Sequence, residues 1–294
     1  MQTLSQIKEL LESRGLSPKR SLGQNFLIDQ NLIRKLIDAA GAPAGSLVVE
    51  VGPGTGTLTE ALLERGYRVI ACELDDALAG MLKERAGAGE VPGAPRLDVV
   101  HADCLESKEE LSAALREAIG REGDREFSLI ANLPYGAATP LIMTLLLKYP
   151  RCKRLAVTIQ SEVAERLSAP ARTHERGMLS VIAQAMSEVE RVATLPRECF
   201  WPRPEVTSAM VVMRRRPEGL VSDEDVRPLS EFCKRLFAHR RKQLRGVLGL
   251  GAGRAGGAGF EWPEGVGERS RAEELTVPQV LELFHRWRRS GAGC

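Results

Sequence analysis

Two short segments of this 294-residue chain carry groups arranged for chemistry: Glu50-Val-Gly-Pro-Gly-Thr-Gly56 and, about eighty residues later, Asn132-Leu-Pro-Tyr135. Asn132 offers a side-chain amide oxygen and Leu133 a main-chain carbonyl, two acceptors in succession. Pro134 stiffens the loop and has no N–H to compete for an acceptor nearby. Tyr135 adds a flat aromatic face. Acceptors beside a stacking ring suit a planar base whose exocyclic amine must be held while its nitrogen becomes tetrahedral. Adenine N6 is a poor nucleophile because its lone pair is delocalised into the ring. The residues therefore imply methyl transfer in which positioning supplies most of the acceleration, about 7–11 kcal/mol at best.

The glycine segment suits the methyl donor. An apolar run, Leu47–Val51, leads straight into it, and a helical pattern opens near Thr57. Gly52 and Gly54 let the chain turn sharply and let a ligand approach with no Cβ in the way. The next apolar run ends in Glu73, 23 residues after Glu50, where a carboxylate can accept both hydroxyls of a ribose. Asp103 follows the third run, Leu97–Val100, and can accept from an adenine amine. Gly-Pro-Gly-Thr-Gly departs from the GxGxxG of pyrophosphate-binding turns, which disfavours an NAD-dependent oxidoreductase. S-adenosyl-L-methionine has no pyrophosphate and does have the ribose and the amine.

These groups need a scaffold. Leu47–Val51, Arg68–Cys72, Leu97–Val100, Ser128–Ala131 and Leu155–Ile159 are short runs rich in Val, Ile and Leu. Helical patterns separate most of them, which predicts an α/β fold with a parallel, doubly wound sheet. Val189–Leu195 and Val206–Arg214 read as two further strands joined by a loop, 196–205. Phe200 in that loop is placed to cover the second face of an extruded base, opposite Tyr135. Past Pro217 the strands give way to helices over Asp223–Phe232, Lys234–Leu248 and Val277–Arg288, with a Gly/Ala-rich insertion at Gly249–Gly267. The expected domains are 1–216 and 217–294. Treated as one continuous helix, 232–248 puts Lys234, Arg235, Arg241, Lys242 and Arg245 on a face that can meet phosphates. Arg240 falls on the apolar arc, where it is expected to be partly buried and paired with a carboxylate that orients the two domains.

Composition excludes little. Net charge is only +2 and the six cysteines form no CxxC pair, which argues against a metal centre or a disulfide framework. No apolar stretch reaches the length of a membrane helix and the N-terminal residues lack a signal-peptide pattern, so a cytoplasmic location is the expectation.

Several segments together resemble one family: Ser21-Leu-Gly-Gln-Asn-Phe-Leu27, Glu50–Gly56, Asn132–Tyr135, Gln160–Leu167, Phe200–Ser208, Arg240–Arg245 and Arg271-Ala-Glu-Glu-Leu275. It is the bacterial small-subunit (16S) ribosomal RNA adenine N6,N6-dimethyltransferases, relatives of the erythromycin-resistance methyltransferases. The resemblance implies a Rossmann-like S-adenosylmethionine-dependent methyltransferase sheet with a small C-terminal all-α domain. It also implies dimethylation of two adjacent adenosines in the 3′-terminal hairpin of 16S rRNA, within the immature 30S subunit, by a monomer. By position, cofactor contacts fall on Asn25, Leu27, Gly52, Glu73, Asp103 and Asn132. Gly136-Ala137 departs from the family, which usually has an Asn and a branched residue there. The alternatives are an enzyme acting on large-subunit rRNA and a non-catalytic subunit-assembly factor.

Overall fold

The computed structural model describes residues 1–217, 220–250 and 260–290. Strands in chain order are β1 (Phe26–Leu27), β2 (Leu47–Val51), β3 (Arg68–Glu73), β4 (Leu97–His101), β5 (Leu105–Ser107) and β6 (Glu110–Leu111). They continue as β7 (Phe127–Asn132), β8 (Cys152–Gln160), β9 (Ser187–Leu195), β10 (Phe200–Trp201) and β11 (Ser208–Arg215). Seven of them form one sheet in the order β4-β3-β2-β7-β8-β11-β9. β2 pairs in parallel with both β3 and β7, and β11 runs antiparallel to β8. Every residue of β2 is buried, as expected where helices cover both faces of a parallel sheet.

The chain moves outward from β2 to β3 and β4, then returns to add β7 on the other side of β2. That reversal opens a crevice beyond the carboxyl ends of β2 and β7, the usual place for a ligand in an open α/β sheet. Three of the first four helices start from side-chain caps. α1 (Leu4–Glu12) has a Thr3 capping box, and α2 (Gln30–Ala40) starts at Asp29, whose carboxylate accepts from the Asn31 and Leu32 N–H groups. α3 (Thr57–Glu64) begins at Gly56 with φ +91°, and α4 (Asp76–Gly87) is capped by Asp75.

The chain packs as two compact units. One comprises Met1–Ala164 with Glu190–Arg214; the other, Glu165–Val189 with Arg215–Cys294. The expected single crossing near residue 217 is therefore incomplete, because Glu165–Val189 lies with the C-terminal helices. The cause is the apolar helix Met178–Met186. It buries Leu179, Val181, Ile182 and Ala183 and packs against Asp223–Phe237 and Val277–Arg289. Arg176, buried in the same segment, donates to the carbonyls of Ala169 and Leu275 and to Gln184.

The helical unit corrects the expected Lys234–Leu248 helix. One helix runs Asp223–Phe237 and a second, short one runs Leu244–Leu248. The cationic stretch between them leaves the helical path. Arg240 is part-exposed, donates to the His174 and Arg176 carbonyls and lies 3.6 Å from Glu273. Its carboxylate partner was expected, but all three partners belong to the helical unit itself. The insertion expected at Gly249–Gly267 falls partly, at 251–259, outside the described residues.

Candidate active site

The crevice is a cleft of about 670 Å³ lined by the glycine turn, by Glu73 and Asp103, by Asn132–Ala137 and by a segment, 20–26, from the N-terminal region. It brings together Asn25, Gly52, Gly54, Glu73, Asp103, Asn132, Leu133, Pro134 and Tyr135, all singled out in the sequence.

Asn132 ends β7 and is held at both ends of its amide. Its Nδ2 donates to the Asn25 carbonyl at 2.8 Å, and its Oδ1 accepts from the Thr158 hydroxyl. The Leu133 N–H donates to the Thr158 carbonyl at 3.1 Å. Leu133 is buried, so its side chain anchors the loop and only its main chain is available for chemistry. Tyr135 shares a 3.0 Å hydrogen bond with Ser208 at the start of β11. Burial raises the Tyr135 phenol above its ordinary range, although the Ser208 bond opposes this. The ring is therefore neutral and oriented.

Beside the glycine turn, Glu73 accepts from the Gly54 N–H at 3.0 Å and the Asp75 N–H at 2.9 Å. Burial raises its pKa and those N–H groups work against it. Gly52 and Gly54 both lie at positive φ, +72° and +59°. A Cβ on Gly52 would sit 3.2 Å from Pro134, and one on Gly54 would sit 2.7 Å from the Phe26 ring. The two chemical segments are thus in van der Waals contact across the switch point. Asp103 is exposed, and its Oδ1 accepts from the Leu105 N–H.

Two expected residues lie elsewhere. Phe200 is 2% exposed and Leu27 is also buried, both within the main apolar core rather than along the cleft. The reason is a two-residue antiparallel pairing of β1 with β10, with Leu27 opposite Phe200 and Phe26 opposite Trp201. Successive strand residues face opposite ways, so when Phe200 and Leu27 enter the core, Trp201 and Phe26 take the other side. Phe26 and Trp201 stack there at 6.2 Å, with Lys8 Nζ over the indole. Phe200 therefore does not cover a base in this structure.

The segment over the cleft is tied down as well. Lys19 Nζ and Gln24 Nε2 both reach Asp75 Oδ2, at 2.8 and 3.0 Å. Burial pushes the Asp75 carboxyl up, but the Lys19 and Gln24 bonds outweigh it and hold the group below its usual range. Asp75 is also the N-cap of α4, so its carboxylate serves the helix and the covering segment together.

Glu50, on β2, is 1% exposed and accepts from the Thr59 hydroxyl at 2.7 Å. Burial pushes its carboxyl from 4.5 up to about 8, with the Thr59 bond opposing and nearby Glu73 adding to the rise. The folded state thus keeps a proton that the unfolded state loses above 4.5. Its contribution is complete below that value and is lost as pH rises towards 8. We expect stability to fall across this window by up to about 1.4 kcal/mol per pH unit from this group, and Glu50→Gln to flatten that fall. Denaturant melts of both proteins at pH 5, 6.5 and 8 check it; parallel pH profiles would count against it.

Of the expected RNA contacts, Arg235 donates to the Val247 carbonyl and lies over the Trp287 ring, and Arg245 pairs with Glu268 at 2.9 Å. Arg241 and Lys242 are exposed and border, with Gln243 and Arg271, a hollow on the helical unit. Arg271 lies far along the chain from the others, so a helical projection over 232–248 does not include it.

A family model described as ribosomal RNA adenine dimethylase matches residues 15–288. The chain belongs to this family. Among the dimethylase relatives, "Ribosomal RNA small subunit methyltransferase A" of Streptomyces avermitilis is 38% identical over 278 residues, covering 94% of this chain and 90% of the relative. The protein of the same name from Geobacillus thermodenitrificans is 39% identical over 242 residues, covering 82% and 80%. Among solved structures, the 23S rRNA methyltransferase ErmE has a TM-score of 0.64 at 26% identity, with 90% of this chain and 100% of that one covered. A dimethyladenosine transferase from Plasmodium falciparum has a TM-score of 0.70 at 21% identity, covering 90% and 98%, and shares the fold.

Proposed function

We propose that this dimethylase family member uses S-adenosyl-L-methionine to dimethylate N6 of two adjacent adenosines in the 3′-terminal hairpin of 16S rRNA. It would act as a cytoplasmic monomer on the immature 30S subunit. The observation that carries this is the Asn132 amide, fixed by Asn25 and Thr158 beside Tyr135 and a Cβ-free glycine turn. Among the described residues no helix is long and apolar enough to cross a membrane.

The cleft suits the cofactor. A carboxylate has about four lone-pair sites, and Gly54 and Asp75 donate to Glu73, leaving acceptor capacity for ribose hydroxyls. Asp103 stands at the exposed side for an adenine amine, Asn25 caps the other end, and Gly52 and Gly54 let the turn sit close against Pro134 and Phe26, where a Cβ would collide. When bound, S-adenosylmethionine supplies an electrophilic methyl on a sulfonium sulfur. Asn132 Oδ1 and the Leu133 carbonyl accept the amino hydrogens and draw electron density onto nitrogen as it pyramidalises. Tyr135 stacks on the base, which must first leave its helix or come from a single strand. No side chain need remove a proton before attack, since the proton leaves once nitrogen is cationic. Arg241, Lys242 and Arg271 offer phosphate contacts on the helical unit, with Arg235 and Arg245 contributing less because both are engaged within the protein.

Incubating the protein and methyl-labelled cofactor with immature 30S particles and, in parallel, with large-subunit RNA, and mapping the modified bases, tests the proposal. Label on two adjacent adenosines near the 3′ end is expected. Label confined to large-subunit RNA would favour the alternative raised by the 23S enzyme's fold, and particle binding without label would favour a purely assembly role.

A further inference from the structure

The glycine turn has two sides. Gly52 and Gly54 face the cleft, whereas Thr55 is 1% exposed on the side away from it. The Thr55 carbonyl accepts from Gln2 Nε2 at 2.8 Å and from Arg85 Nη1 at 3.0 Å. Glu60 closes the ring, accepting from the same Gln2 nitrogen at 2.6 Å and from Arg85 Nη2 at 2.8 Å. All three side chains are buried. The Glu60 N–H also donates to the Gly56 carbonyl at 2.8 Å. Gln2 from the N-terminal segment and Arg85 from α4 thereby converge on the Thr55 carbonyl, with Glu60 of α3 bridging them.

A turn with three glycines at positive φ has few side chains to fix it, so its shape depends on what grips its main chain. In front, Glu73 holds the Gly54 N–H. Behind, the Thr55 and Gly56 carbonyls accept, and the Thr55 hydroxyl adds a longer contact, 3.4 Å, to the Thr57 hydroxyl. We propose that Arg85 and Gln2 are positioning residues for the cofactor site, which act through the Thr55 carbonyl to hold Gly54 and Glu73 in binding geometry without touching the ligand. The proposal rests on the cleft's being the S-adenosylmethionine site.

The test compares cofactor affinity with turnover. Removing Arg85 alone would leave the buried Glu60 carboxylate to Gln2 and to the Met1 ammonium, 3.2 Å from its Oε2. The informative variant is therefore Glu60→Leu with Arg85→Met, which replaces the pair by apolar groups of similar size and leaves Met1 its second partner, Glu64. Gln2→Met removes the other donor and leaves the ion pair intact. Calorimetric titration with S-adenosylmethionine should show affinity falling about tenfold in the double variant, the equivalent of about 1.4 kcal/mol. The maximal methylation rate at saturating cofactor should stay near wild type, because the base-side residues are undisturbed. Arg85→Lys, which keeps the charge and one donor, should recover part of the affinity. Wild-type affinity in the folded double variant, or an equal fall in affinity and maximal rate, would overturn the proposal. If the double variant does not fold, Gln2→Met decides, and unchanged affinity there overturns it. A wild-type chain that binds no S-adenosylmethionine would instead refute the assignment of the cleft.

Discussion

Asn132→Ala should lower methyl transfer by about 100- to 1000-fold, the range seen when one preorganised polar group is removed from a developing charge. The expectation follows from how the amide is held. Its nitrogen is committed to the Asn25 carbonyl and its oxygen already accepts from Thr158, so the amide cannot rotate, and the second lone pair of the oxygen remains for the substrate. Asn132→Asp should not rescue activity. A carboxylate in that place would oppose the Asn25 carbonyl, acceptor against acceptor, and push the covering segment away. Thr158→Val should be milder, about tenfold, because it removes one hydrogen bond to the amide and leaves the reacting acceptor in place. Single-turnover methylation of immature small subunits measures all three, with particle binding followed in parallel. Activity of Asn132→Ala within threefold of wild type would mean that the amine is held by something else.

Much of this site could be read from the chain, for a reason rooted in parallel sheets. Each buried strand is a short apolar run, and a polar residue at or soon after its end lies at the cleft. Glu73, Asp103 and Asn132 were visible as such residues, and the glycine turn marked the first strand. What could not be read depends on contacts between distant segments. The pairing of Phe26–Leu27 with Phe200–Trp201 involves two residues on each side, too few to show a period. That pairing reverses the role expected of Phe200, sending it into the core and making Trp201 the partner of Phe26.

The helical unit misled for a related reason. An angular projection over 232–248 presupposes an unbroken helix, and nothing apolar in 239–243 reports that the chain leaves it. Likewise Met178–Met186 reads as one more helix of the sheet domain, since its apolar face does not say which neighbour will cover it. Buried polar groups were hardest of all. Gln2 reads as a chain-end residue and Glu60 and Arg85 as surface residues of helices, and their burial follows from Gln2 and Arg85 meeting at the Thr55 carbonyl with Glu60 between them.

Gly54→Ala should abolish measurable cofactor binding, and the neighbouring glycines show why the loss belongs to this position. Alanine at φ +59° costs about 1–2 kcal/mol from backbone conformation alone. Gly41 provides the measure of that term. It has the same φ, +59°, with nothing within 4 Å of an added Cβ, so Gly41→Ala should destabilise without affecting the ligand. At Gly54 the added carbon would meet Phe26 Cε1 at 2.7 Å and Cδ1 at 2.8 Å. The ring cannot simply withdraw, because Phe26 is paired in β1 and stacked on Trp201. The turn must move instead, and with it the Gly54 N–H that orients Glu73. A drop in affinity of about 100-fold or more is therefore expected on top of the backbone cost, since about 1.4 kcal/mol is lost for each factor of ten. Gly52→Ala should differ in kind. Its Cβ would press on Pro134 at 3.2 Å, displacing the loop that carries Asn132 and Tyr135, so maximal turnover should suffer more than cofactor affinity. Calorimetric titration with S-adenosylmethionine and thermal melts of the three alanine variants separate these effects. If Gly54→Ala and Gly41→Ala bound the cofactor equally well, the contact between Phe26 and the turn would have no part in shaping the site.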